Sequence, residues 1–200
     1  MLYIMSSGES ATRTRILSET LRLMEQNRGQ GVRISDIAHA AGVSRQAVYL
    51  HFSNRTELMV ATVRFADEIN DINVRLQPLI KAGSGVESLY QYIDFWGNYI
   101  PVIYGLAHAL LDVRATDEAA AAAWNDRMQA LRMGCQSVIE CLHRDDVLRQ
   151  ELNDNEAVDL LWSLLGIGLW ENLTMDCGWS TDRYVSALQQ LAKRALLKSG

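Results

Sequence analysis

Residues 34–52 read Ile34-Ser-Asp-Ile-Ala-His-Ala-Ala-Gly-Val-Ser-Arg-Gln-Ala-Val-Tyr-Leu-His-Phe52. Almost every position has a local physical reason. Ser35 is placed to cap a short helix, and Asp36 suits the positive end of that helix's dipole. Ile37 and Ala41 are four apart and face one side together. Ala38 is small where a second helix must come close. Gly42 tolerates the left-handed backbone that ends a helix, Val43 plugs the turn, and Ser44 caps a second helix. Val48 and Phe52 are again four apart and turn inward. The pattern predicts helices over Ser35–Ala41 and Arg45–His51 joined by a tight turn. A helix-turn-helix uses that geometry to put its second helix into the major groove of DNA.

Outward from this stretch, apolar spacing predicts helices over about Thr12–Asn27, ending near Gly29, and over Arg55–Leu76. Further helices are expected at Val86–Tyr99, Pro101–Val113, Asp117–His143, Glu156–Cys177 and Thr181–Lys198. Pro101 fits the first turn of its helix. The run Lys81-Ala82-Gly83-Ser84-Gly85 reads as a linker. The expected fold is all-α, about nine helices: a three-helix head over residues 1–56 and a helical bundle over 57–200.

Composition narrows the function. Hydrophobic residues make up 48% and charged residues 22%, a globular balance. The net charge of −5 is unevenly spread. Residues 1–60 hold seven arginines (13, 15, 22, 28, 33, 45, 55) against five acids, whereas the remainder is acidic. A positive head on an acidic body can present one face to phosphates. The three cysteines, Cys135, Cys141 and Cys177, do not form a disulfide framework, which suits a reduced cytoplasmic protein. The longest apolar run, Leu160–Trp170, falls short of the roughly 20 residues that span a bilayer, so no membrane partner is expected. His39, His51, His108 and His143 lack metal-ligand spacing. No glycine-rich phosphate loop and no GxSxG elbow occurs. No cofactor, metal or catalytic residue is expected.

Residues 13–60 closely resemble the TetR family of transcriptional regulators. The resemblance lies in the motif above and in Tyr49-Leu50-His51-Phe52-Ser53-Asn54-Arg55-Thr56-Glu57-Leu58. Arg55 stands where the family usually has lysine, and Asn54 with Glu57 suggests a capping box. Arg15-Ile16-Leu17 and Gly29 match the family's first helix, while Thr20 and Met24 replace its usual alanine and phenylalanine. The resemblance implies a regulator that binds a double-stranded operator as a homodimer, most simply a repressor released by a small-molecule effector. A module that binds DNA without any effector is the alternative, and a helical enzyme is disfavoured because no acid, base and nucleophile set is visible.

The expected base-reading residues are Arg45, Gln46 and Ala47, suited to guanine, adenine and the thymine methyl. Tyr49 and His51 match family positions that clamp phosphates. Ser35, Ser44, Arg55 and Arg33 are further backbone candidates. The resemblance also implies a dimer bundle from the last two helices, with Leu161, Leu164, Leu165, Gly168, Leu169, Tyr184, Leu188, Leu191 and Ala195 as its seam; the same stripes could be intrachain core. Aromatic and methionine side chains crowd the middle helices. Tyr92, Trp96, Tyr99, Tyr104, Trp124, Met128 and Trp162, with His108 as a polar fixer, are the candidate lining of an effector pocket, or equally a packed core.

Overall fold

The computed structural model describes residues 7–26 and 32–198. The elements are α1 (Ser7–Gln26), α2 (Ile34–Ala40), α3 (Arg45–His51), α4 (Arg55–Ile69), the short turns α5 (Ile72–Arg75) and α6 (Gln77–Ile80), α7 (Gly85–Val113), α8 (Glu118–Arg144), α9 (Asp154–Leu164), α10 (Ile167–Trp170) and α11 (Thr181–Leu196). A π-helical turn over Glu171–Asp176 follows α10. Among the described residues the only β pairing is a single bridge between Leu148 and Leu197. The expected end of the first helix, Asn27 and Gly29, lies outside the described residues. No described helix is long and apolar enough to cross a membrane.

The chain divides into two compact units. The first joins the residues up to Asn70 with Ile103–Arg127; the second joins Asp71–Val102 with the residues from Met128 onward. The unit that carries the helix-turn-helix therefore extends well past residue 56. In it, α1 packs on α2 and α4, and α2 packs on α3. Ile16, Leu17, Met24, Ile37, Val48, Phe52, Leu58 and Met59 form its core. Thr20 and Thr62 are buried with them at no polar cost, because each hydroxyl donates to the carbonyl four residues back, Ile16 and Leu58, at 2.8 Å.

In the second unit α7, α8, α9 and α11 bury Leu89, Ile93, Tyr99, Cys135, Leu142, Leu161, Tyr184 and Leu188. The Tyr92 hydroxyl donates to the Leu131 carbonyl at 3.0 Å. It does so over Gly134, where any Cβ would collide with the phenol, so this close approach requires glycine.

Three helix boundaries differ from expectation. The fourth helix stops at Ile69 rather than Leu76: Asn70 caps it by donating to Ala66, and Asp71 turns left-handed at φ 54°. The helices expected on either side of Pro101 are one 29-residue helix, α7. Pro101 removes only one backbone donor and is itself exposed. Buried Tyr99, Ile100, Leu106 and Ala107 hold the helix on both sides of it. Conversely, the single helix expected over Glu156–Cys177 breaks at Gly166, whose backbone is extended, and resumes as α10 and the π turn.

Candidate nucleic-acid interface

The α2–α3 turn is built as the residues dictate. Gly42 takes φ +64°. The N–H of Val43 donates to Ala38 at 2.9 Å and that of Gly42 to His39 at 3.1 Å, which satisfies the last carbonyls of α2. The Ser44 hydroxyl caps α3 by accepting from Ala47 N–H at 3.0 Å. Ser35, expected as the cap of α2, is instead inside its first turn. The cap position falls to Arg33, whose N–H meets the Asp36 carboxylate at 3.4 Å. At α4, Asn54 accepts from Glu57 N–H at 2.8 Å, but the Glu57 carboxylate reaches back to the N–H of Ser53, one residue earlier than a capping box requires.

Helical spacing sorts α3 into four rows. Val48 and Phe52 are buried against the core. The row opposite them is Gln46 and Leu50, both exposed, and Leu50 is 81% exposed. Arg45 and Tyr49 form one exposed flank; Ala47 and His51 form the other and are half-buried. Arg33 and Ser35 are also exposed. The polar edge of the motif thus points outward while its apolar edge is locked inward. Leu50, at the middle of the outward face, was not among the expected contacts; the signal was its spacing of four from Gln46. Arg13 was also missed: its guanidinium lies 5.1 Å over the Phe52 ring and braces the end of α3.

Arg55 departs from expectation. Its guanidinium is bound to Asp117 Oδ1 at 2.6 Å and to the Val32 carbonyl at 3.3 and 3.4 Å. The side chain expected on the phosphate backbone is instead a strut that ties α4 to the start of α8 and to the entry of α2. Farther along α4, Arg64 pairs with Asp126, and Arg127 bridges Asp126 and Asp67. Burial alone would raise Asp117 and Asp126; Arg55 together with the Ala119 and Ala120 N–H groups at Asp117, and Arg64 with Arg127 at Asp126, outweigh it and hold both carboxyls below the ordinary aspartate value.

Residues 16–62 match the family model for bacterial regulatory proteins of the tetR family. This N-terminal segment is a tetR-type helix-turn-helix domain. Against curated proteins the chain's sequence has no match. Among solved structures, NalD, the secondary repressor of the MexAB-OprM multidrug efflux pump in Pseudomonas aeruginosa, superposes with a TM-score of 0.71 at 20% identity, over 96% of this chain and 99% of that one. FadR from Bacillus subtilis, solved in complex with stearoyl-CoA, gives 0.72 at 14% identity over 90% and 97%. A TetR transcription regulator from Haloarcula marismortui gives 0.68 at 17% identity over 94% and 100%. At these identities the likeness is one of fold.

The candidate dimer seam requires correction. Leu161, Leu165, Tyr184 and Leu188 are at most 2% exposed within the single chain, so they are intrachain core and cannot meet a partner. The Tyr184 phenol is pushed up to about 12 by burial. The neighbouring positions are more open: Leu160 on α9 and Leu191 on α11 are exposed, Leu164, Ala187 and Ala195 are half-buried, and Gly168, exposed, lies beyond the break at Gly166. Leu169 is half-buried.

The candidate pocket residues do not fall in one unit. Tyr104, His108 and Trp124 belong to the first unit; Tyr92, Trp96, Tyr99, Met128 and Trp162 belong to the second. In the first, Tyr104 meets His108 edge-on at 5.6 Å, His108 pairs with Asp112 at 3.2 Å, and Arg114 covers Trp124 at 5.2 Å. In the second, Tyr92, Trp96 and Tyr99 form an aromatic cluster with Phe95, with Phe95 and Tyr99 stacked at 5.2 Å. Trp162 donates to the Met128 carbonyl at 3.3 Å. Asn98 is exposed, and its side-chain amide donates back to the Asp94 carbonyl at 2.8 Å.

Proposed function

We propose that this regulator is a repressor that binds a palindromic operator as a homodimer and is released by a small apolar or aromatic ligand. The observation that carries the reading is the outward face of α3, with Arg45, Gln46 and Tyr49 in solvent on a helix anchored by Val48 and Phe52. Arg45 and Gln46 meet base edges, and Tyr49, His51, Ser44, Ser35 and Arg33 position the head on the phosphates. Two such heads read two half-sites about one helical turn apart.

Pairing is supported by the exposed Leu160 of α9 and Leu191 of α11, with Leu164, Ala187 and Ala195 half-buried beside them. Effector binding is supported by the α7 aromatic cluster. It is supported too by the Tyr184 hydroxyl, which is buried without a hydrogen-bond partner among the described residues. NalD is a repressor and FadR was solved with an acyl-CoA, so the reading suits the fold. Because α8 holds α4 through Asp117, Asp126 and Arg127, a ligand that shifts α8 would shift the head. It must favour the non-binding arrangement to do so.

The test is selection of bound DNA from a random pool by the full-length protein at several salt concentrations, followed by the mass of the complex. A palindromic site carrying two chains is expected. Enrichment of no sequence, or one chain per site, would overturn the reading. Titration with hydrophobic dyes tests the effector half: the absence of any saturable site defeats it.

A further inference from the structure

We propose that Leu50 is a base-reading residue that packs its side chain on the 5-methyl group of a thymine. The proposal rests on the reading of α3 as the recognition helix and adds a residue and a base to it. Single exposed leucines are ordinary on protein surfaces. What sets this one apart is where it lies. Leu50 is 81% exposed, the most exposed of the large hydrophobic residues among those described. It shares the outermost row of α3 with Gln46, directly opposite the buried pair Val48 and Phe52. No residue of α3 is placed farther from the core.

The chemistry of the groove then selects the partner. A branched hydrocarbon side chain can neither donate nor accept a hydrogen bond, so it gains nothing from a phosphate or from the polar edges of guanine, cytosine or adenine. The thymine methyl is the one apolar group that base pairs display in the major groove. Ala47, suited to the same methyl by its size, lies on the half-buried flank, one row away from the outward ridge.

The spacing adds a constraint. Residues four apart on a helix are separated by about 6 Å along its axis, and base pairs by about 3.4 Å. Leu50 and Gln46 therefore meet base pairs at most about two steps apart. Gln46 suits adenine, so each half-site holds an adenine and a methyl-bearing thymine within about three consecutive pairs.

The test uses the full-length protein and the duplex it selects from a random pool. Each thymine is replaced in turn by uracil, which removes the methyl and nothing else. One thymine per half-site should weaken binding about fourfold, the worth of a single buried carbon, or about fifteenfold when both half-sites are changed. Leu50→Ala should bind the same duplex with that sensitivity gone. Its fold should be intact because the side chain touches water, and circular dichroism checks this. If no thymine-to-uracil change weakens the wild type, or if Leu50→Ala keeps the penalty, Leu50 is not the reader; in the second case another residue of α3 reads the methyl. These outcomes leave the regulator reading standing. A protein that enriches no sequence would bring down both.

Discussion

Replacing Arg55 by alanine separates two roles open to a cation at the start of α4. As a strut, its guanidinium is held by Asp117 at 2.6 Å and by the Val32 carbonyl at 3.3 and 3.4 Å. The pair is partly exposed, with 29% and 24% of the two side chains accessible, so it is worth about 0.2–1 kcal/mol. The Val32 carbonyl loses a charged donor, which adds about 1 kcal/mol. The variant should therefore unfold in urea with about 1–2 kcal/mol less stability. As a phosphate contact, Arg55 would instead contribute a salt slope of about 0.9 per chain, or about 1.8 per dimer. The geometry predicts that the slope of log K against log salt is unchanged in Arg55→Ala while stability falls. A slope flatter by about 1.8 with undiminished stability would refute this reasoning. A second arm uses Asp117→Asn, which keeps a capping side chain on α8 but removes the charge. In that background the further loss from Arg55→Ala should shrink, because the two substitutions remove one shared interaction.

Asp117 and Asp126 titrate below the ordinary aspartate value. Their contribution to stability is complete above the unfolded-state value near ~3.9 and is lost as pH falls through the lowered folded values. Wild type and Asp126→Asn should differ in thermal midpoint at neutral pH and converge only below about pH 4; convergence between pH 5 and 7 would implicate other groups. Leu191→Glu places a charge at an exposed position of α11 and should yield monomers in sedimentation with the fold retained, whereas Leu188→Ala, in the core, should cost about 2–5 kcal/mol of stability. A dimeric Leu191→Glu protein would remove α11 from the interface.

The head was legible in the sequence because its determinants act within a few residues. Gly42 requires its left-handed turn, Ser44 caps its own helix, and Val48 with Phe52 announce the buried side of α3. The body was less legible because its determinants are distant or degenerate. The partner of Arg55 is 62 residues away, so an arginine in a DNA-binding motif read as a phosphate contact. α11 carries two adjacent apolar rows, and period alone does not say which one its own chain covers; the structure buries Tyr184 and Leu188 and leaves Leu191 outside. Pro101 reads as a helix start by local rules, yet the burial of Tyr99, Ile100, Leu106 and Ala107 carries α7 through it. At Gly166 the reverse holds: an apolar run reads as one helix, and an extended backbone divides it.

A single oxygen atom, Asp117 Oδ1, accepts from Arg55 Nη1 at 2.6 Å and from the N–H groups of Ala119 and Ala120 at 3.0 and 3.2 Å. The tether of the DNA-reading head and the first turn of α8 thus share one acceptor. Fraying of that turn and slackening of the tether become one cooperative event: whatever unwinds the beginning of α8 lets go of α4 in the same motion, and a chain in which the two were served by different atoms would have to break them one after the other.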